Sequence, residues 1–410
     1  MVGLLDVPGE QELPVPRVSG CRSASGGCHR ASGLPPGASC VVFLIGVALL
    51  GAGCAPRASV GTRAPDRSAC TATVTSRAFA SVERAITRAG PGDVVCLGGG
   101  AYGSRRIDVA TSGTAHAPLE IRAAGRVTVG GFRVRADHVT IRGFDITTVP
   151  SAGSEVAPGV SLRGTGIVVI GNRIHDTNGD GIACEFVRPS CIDVVIADNL
   201  IRHADGTGII VFGKNDRVER NDVSGSVRVH ANDADGIRFF GTGHVLRDNR
   251  IHDISASGYA SDPPHTDCFQ TFDNGKPRTA NIVIDRNVCE NVDDQCLIAT
   301  AQQSGTEGRI GRSHTVRFTN NVCHTAGSQA LLIEQFPGVT VSRNVFSDTI
   351  RYRAAIFLDG SIDGAFVDNI VNGDLLAYEL DTSSARGFRA ARNMRRGGTA
   401  AAPTQPGFVP

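Results

Sequence analysis

The phrases VVIADNLI (194–201), DRVERNDV (216–223) and HVLRDNRI (244–251) are copies of one pattern: an apolar-centred run, an asparagine, and a second run. The asparagine returns as Asn172, Asn199, Asn221, Asn249, Asn287, Asn321, Asn344, Asn369 and Asn393, at spacings of 27, 22, 28, 38, 34, 23, 25 and 24 residues. The longer intervals are insertions into a unit of about 22 to 25 residues, and a period of that size means a solenoid.

The flanking columns say which solenoid. Three residues before the first eight asparagines stand Val169, Ile196, Val218, Leu246, Ile284, Phe318, Val341 and Phe366. Two residues after them stand Ile174, Ile201, Val223, Ile251, Cys289, Cys323, Phe346 and Val371. Inward positions alternate within a strand, so this odd-plus-even offset describes a first strand, a bend at the asparagine, and a second strand. Asn tolerates the left-handed conformation such a bend requires, and stacked Asn amides can bond from coil to coil. A third strand follows, entered through a small-residue column of Gly181, Gly208, Gly236, Cys268, Cys296, Ala330 and Ala355. Three short strands per turn predict an all-β fold, a single-stranded right-handed parallel β-helix. Phe144 takes the asparagine's place in the coil of Val139 and Ile141.

The ends are different in kind. Residues 1–54 are an upstream segment ending in CVVFLIGVALLGAGC (40–54), too short an apolar run to span a bilayer but suited to a signal-peptide core. With Arg22 and Arg30 upstream and Ala-Pro after Cys54, it resembles a bacterial lipoprotein signal with Cys54 as the lipidated residue, although Gly51 stands where that signal usually has Leu. Residues 55–77 are expected to be a disordered tether, 78–396 the β-helix, and 397–410 a loose tail. Phe79, Val82 and Ile86 mark one face of a short N-terminal helix closed by Gly90-Pro91, which would cap the open first coil.

Composition fits one elongated, turn-rich domain. With 50 Gly, no Trp, two Lys beside 39 Arg and a net charge of +1, the chain has no global pull towards nucleic acid. Export implies disulfides among the eight cysteines beyond Cys54. Cys70 with Cys96 would tie the cap, and Cys184 with Cys191 would close a loop. Cys289 and Cys323 share one inward column on neighbouring coils, as do Cys268 and Cys296, either as bridges or as stacked buried thiols.

From about residue 79 to 393 the chain resembles the pectin-lyase-like superfamily and, within it, right-handed β-helix repeat proteins. AGPGDVVCLGGGAY (89–102) resembles the capping segment of secreted β-helix enzymes. That architecture carries lyases, hydrolases, epimerases and non-catalytic adhesins, so the reaction must be argued from the site.

Three columns of the third strand read as outward-facing. They gather Asp235, Arg238, Asp267, Gln270 and Gln295 near two long insertions, 252–266 and 301–314. The densest stretches are HTDCFQTFDNG (265–275) and VDDQCLIA (292–299). They resemble the Asn-Thr-Asp and Asp-Asp-Cys motifs of polygalacturonases, which implies Asp267, Asp293 and Asp294 as catalytic carboxylates. His265 replaces the Asn, however, and Gln295 intervenes before Cys296. Elimination or epimerisation at C5 of a uronate is a second route, needing a base, a group to neutralise the carboxylate, and an acid. Arg238, His265, Tyr259 and Lys214 could fill those roles. Tyr259 to His265 resembles the Tyr, Asp-Pro-His signature of mannuronan epimerases, with one residue too many. Gln270, Gln295 and Glu334 would line the substrate groove. No cofactor is required, though Asp235 and Asp267 could bind Ca²⁺. Alternatively each Asp is a turn residue, His265 anchors its loop, and the solenoid is a non-catalytic glycan-binding scaffold with few aromatics for sugar stacking. The expected partner is an acidic polysaccharide bound by a monomer that meets membranes only through a lipid anchor.

Overall fold

The computed structural model describes residues 69–148, 156–188, 190–230, 233–259, 261–273, 276–301, 313–397 and 407–409. The signal segment, Cys54 and most of the 301–314 insertion lie outside the described residues.

The repeat forms three parallel strands per coil. One coil reads Val195–Ala197, Leu200–Ala204 and Ile209–Lys214; the next reads Arg217–Glu219, Asp222–Ser224 and Ile237–Thr242, each strand pairing in register with its counterpart. At the bend between first and second strands the asparagines are buried and form a ladder. Asn199 donates from its backbone and from Nδ2 to Asn221 Oδ1, each at 3.0 Å, and also from Nδ2 to Val169 O at 3.0 Å. The ladder begins where Phe144 donates its amide to Asn172 Oδ1 at 3.0 Å.

The left-handed residue is not the asparagine but the one before it. Asp198, Arg220, Asp248, Arg286, Asn320, Arg343, Asp368 and Arg392 all have φ between 52° and 57°. The asparagine's amide and side chain must both point along the helix axis to continue the ladder, so the reversal falls on its neighbour. A charge zipper on the outside of the coil offsets the strained φ of that neighbour: Arg220 grips Asp198 (2.7 and 2.8 Å), and Arg392 grips Asp368 (2.6 and 2.7 Å).

The small-residue column has a steric cause. A Cβ on Gly208 would lie 2.3 Å from Val223 Cγ1, and one on Gly236 would lie 2.5 Å from Ile251 Cγ2, so the second strand's apolar residue fills the space opposite. In the next two coils that facing pair becomes cystine. Cys268 bonds Cys289 and Cys296 bonds Cys323, with Cα–Cα distances of 6.1 and 5.8 Å. The stacked pairings Cys268/Cys296 and Cys289/Cys323 are therefore not formed. Cys289 and Cys323 are register partners whose Cβ vectors run parallel, whereas residues facing across the core converge. Cys70–Cys96 and Cys184–Cys191 pair as expected.

The helix Phe79–Arg88 buries Val82 and Ile86 over the first coil. That coil starts earlier than expected: Ala72–Val74 pairs with Val95–Leu97, so the end of the segment read as a tether belongs to the sheet. Likewise Gly407–Val409, within the expected loose tail, pairs with Glu379–Asp381. Among the described residues no helix is long and apolar enough to cross a membrane.

Candidate functional site

In the column before the small residues Asp235 and Asp267 are 0% exposed, contrary to their outward reading. The polypeptide turns into the third strand at this column, and each carboxylate serves the next coil. Asp180 Oδ1 accepts the amide of Thr207 (2.8 Å), Asp235 Oδ1 that of Asp267 (2.9 Å), and Asp267 Oδ1 that of Gln295 (2.9 Å). The second oxygens of Asp235 and Asp267 meet the side chain three residues on. Asp235 Oδ2 accepts from Arg238 Nε at 2.6 Å, and Arg238 also pairs with Asp233. Asp267 Oδ2 lies 3.5 Å from Nε2 of Gln270, a residue in register with Arg238 one coil earlier.

Burial dominates the electrostatics. It raises Asp235 to about 6 against the pull of Arg238, and raises Asp180 to about 6. Burial, then the charge of Asp235, pushes Asp267 well above the carboxylate range. Burial thus favours the protonated form of Asp267. Gln270 Oε1 is buried without a hydrogen-bond partner, and turning the amide over would let this oxygen accept a hydrogen bond from a protonated Asp267. For Ca²⁺ the arrangement does not fit. One oxygen of each Asp is bonded to a backbone amide, Arg238 occupies the other side of Asp235, and among the described residues no three His, Cys, Asp or Glu side chains converge to hold a metal.

Other predicted residues anchor the inserted loops. Asp293 Oδ2 accepts from Ser255 Oγ (2.7 Å) and the Ala256 amide (2.8 Å); Asp294 Oδ2 accepts from the Thr266 amide and hydroxyl, both at 3.0 Å. Tyr259 accepts the Arg228 amide through its hydroxyl (2.8 Å). His265 is exposed, with its amide on Asp233 (3.2 Å). Lys214 is exposed at the end of its strand. Gln295 is largely buried beside Asp267, and burial, then Asp359, raises the Glu334 carboxyl.

Sequence reasoning missed the group that rises above this face. Phe212 and Phe240 are register partners, and Phe272 follows one coil on. Phe186, carried on the loop closed by Cys184–Cys191, meets the Phe212 ring at 5.1 Å and the Phe240 ring at 6.0 Å. Lys276 Nζ lies 4.1 Å from the Phe186 centroid and 5.9 Å from that of Phe272, whose ring the Arg238 guanidinium also approaches at 5.9 Å. Burial, then Arg238, lowers the Lys276 ammonium. The scarcity of aromatics thus conceals a local concentration. A signal was available: in a chain with 39 Arg, Lys276 is one of two lysines, and an amine can give up its proton near neutrality where a guanidinium cannot.

A family model described as the right handed beta helix region matches residues 130–263 and 186–373. The chain belongs to this β-helix family. No curated protein matches the chain. Among solved structures, this β-helix is similar to a PL6 family polysaccharide lyase from Pseudopedobacter saltans (10% identity, 80% of this chain, 93% of that chain, TM-score 0.51). It is also similar to an alginate lyase from a Paenibacillus species (16% identity, 80% and 100% covered, TM-score 0.46). A third is the catalytic unit of a thermostable α-1,3-glucanase from Streptomyces thermodiastaticus (17% identity, 80% and 68% covered, TM-score 0.45). At such identities the likeness is one of fold.

Proposed function

We propose that this β-helix acts on an acidic polysaccharide in the groove between the Cys184–Cys191 loop and the 252–266 insertion, by proton abstraction at C5 of a uronate. The carrying observation is that two cations, Arg238 and Lys276, flank one ring, Phe272. Positive charge from protonated Lys276 and from Arg238 at this half-buried ring favours an anion beside it, in competition with Asp233 and Asp235, which already pair with Arg238. The uronate carboxylate would sit there, beside Gln270 and beside Asp267, whose protonated form burial favours and which in that form does not repel it. Lys276 gives up its own proton before it acts as base; burial and the Arg238 charge, which lower its ammonium, favour that loss. The C5–H electrons then move into the carboxylate; the C4 glycosidic oxygen leaves with the C4–O electrons and takes the proton that Lys276 has gained, giving an unsaturated product, whereas a proton from water added to the opposite face of C5, with loss of the Lys276 proton to solvent, gives the epimer. The test is a polyuronate panel read for unsaturated products, new reducing ends and C5 inversion. Lys276→Gln should remove at least two orders of magnitude of kcat. No turnover on any polyuronate would reject the reading.

A binding-only role has its own support, because Asp235, Asp267, Asp293 and Asp294 each hold backbone or loop. Unchanged oligosaccharides bound with measurable affinity would favour it. Four disulfides fit an oxidising compartment, which supports export; anchoring through Cys54 is proposed with it on the sequence of that segment alone.

A further inference from the structure

On the N-terminal side of the Cys184–Cys191 loop the third-strand face opens into a cleft of about 490 Å³, lined among others by Ser112, Arg135, Asp137, Arg163, Thr165 and Ser190. Arg135 and Arg163 are register partners on adjacent coils, so two guanidinium groups leave the sheet about 4.8 Å apart. Of the nearby carboxylates, Glu185 pairs with Arg135 itself and Asp137 serves the backbone, which leaves Arg163 as the uncompensated guanidinium. Glu185 Oε1 accepts from Arg135 Nε at 2.9 Å and from Ser161 Oγ at 3.1 Å, and Asp137 Oδ1 accepts the Thr165 amide at 2.7 Å. Arg163 is exposed and has no hydrogen-bond or ion-pair partner among the described residues.

The cleft lies in line with the groove of Lys276. Gly164 pairs with Cys191, Cys191 with Gly213, and Gly213 with Gly241, so Arg163 occupies the column of Phe212 and Phe240. Three coil steps separate Arg163 from Phe240, about 14 Å along the axis. That is a span for a chain of several sugar units, not for a monosaccharide.

We propose that the Arg135–Arg163 cleft is a second subsite that holds a glycan oxyanion, a uronate carboxylate or a sulfate ester, of a polymer that continues from the Lys276 groove. This rests on the acidic-polysaccharide reading above and adds that the ligand is gripped at two separated anions. Planar guanidinium forks suit both oxyanions, and the hydroxyls of Ser112 and Thr165 stand beside them.

The test is calorimetric titration of the full chain with a galacturonate hexasaccharide, a sulfated heparin-derived hexasaccharide, and galacturonate monomer. Arg163→Gln should raise the Kd of at least one hexasaccharide fivefold or more, leave the Tm unchanged, and leave the monomer's weak binding as it was. Arg163→Lys should recover part of the loss. Which hexasaccharide responds identifies the oxyanion. An unchanged Kd for both hexasaccharides in Arg163→Gln, or no binding of either by the wild type, overturns the subsite. Turnover by Lys276→Gln separates the two ideas. Unchanged turnover with an Arg163-dependent Kd sinks the reaction and keeps the subsite; lost turnover with an Arg163-independent Kd does the reverse.

Discussion

Asp267 faces two ways: Oδ1 accepts the Gln295 amide across a coil boundary at 2.9 Å, while Oδ2 turns towards Gln270 at 3.5 Å. The two oxygens therefore answer to different substitutions. Asp267→Asn retains the Oδ1 acceptor, adds an Nδ2 donor towards Gln270, and should leave the Tm within a few degrees. Asp267→Ala orphans a buried amide and should cost about 1 to 3 kcal/mol in denaturant titration. If the acid takes part in the reaction, the Asn variant loses activity at wild-type stability; if it is only a rung of the coil, the Asn variant remains active.

Stability should fall as pH rises through the weakly acidic range. Asp216 is fully buried, and burial raises it to about 7 from 3.8; its Oδ2 has no hydrogen-bond partner, while Oδ1 accepts the Val194 amide at 3.0 Å. Below 3.8 both folded and unfolded forms are protonated; between there and about 7 only the unfolded form ionises, so folding loses stability throughout that window. Asp235 and Asp180 act in the same sense up to about 6. Buried His244, lowered by burial to about 4 from 6.5, has the opposite slope between those values, but it is one group against three. The Tm should thus decline from pH 5 to 8, and Asp216→Asn, which keeps the Val194 bond, should flatten the decline. A wild-type Tm rising over that range would contradict the assignment.

Each ladder asparagine makes several bonds that no apolar residue replaces. Asn321 Oδ1 accepts from the Asn287 amide (2.8 Å) and Nδ2 (3.0 Å), and its own Nδ2 donates to Ile284 O (3.1 Å) and Asn344 Oδ1 (3.2 Å). Asn321→Leu should destabilise by about 1 to 3 kcal/mol, the range for buried groups left unsatisfied. A loss within error in urea titration would mean that water takes over the rung.

The fold was legible because a solenoid writes its contacts at a fixed interval: Asn199, Asn221 and Asn249 touch in space because they recur in sequence. The site was less so. Asp235 and Asp267 looked like outward polar groups because alternation was extended one residue too far, into the turn where the backbone amide of the next coil needs an acceptor. Lys276 and Phe186 lie in loops with no repeat to register them, so nothing in the periodicity places them over Phe272 and Phe240. The two core cystines were misread for a related reason. Register along the axis was visible at Cys289 and Cys323, while the pairing across the core depends on which columns face each other.

Acylation is testable without activity. If Cys54 carries a lipid, the wild type should incorporate labelled fatty acid in a bacterial host and Cys54→Ala should not. Soluble, unlabelled wild type with a new N-terminus beyond Cys54 would point to ordinary secretion instead.

The across-core pairing of Cys268 with Cys289 makes the last prediction, because the preceding coil shows what the same position looks like without sulfur. There Gly236 faces Ile251, and a Cβ on Gly236 would strike Ile251 Cγ2 at 2.5 Å. In the single variant Cys289→Ile the new side chain would meet the Cβ of Cys268 in the same way, so this change should cost more than the loss of the bridge. The double variant Cys268→Gly, Cys289→Ile reproduces the neighbouring coil and should recover much of that cost, leaving a net loss of roughly 2 to 4 kcal/mol for the missing cross-link. Urea titration of the single and double variants, with non-reducing peptide mapping of the wild type, reads both halves. A Cys289–Cys323 peptide in that map, or a double variant less stable than the single, would show that the facing columns have been misassigned.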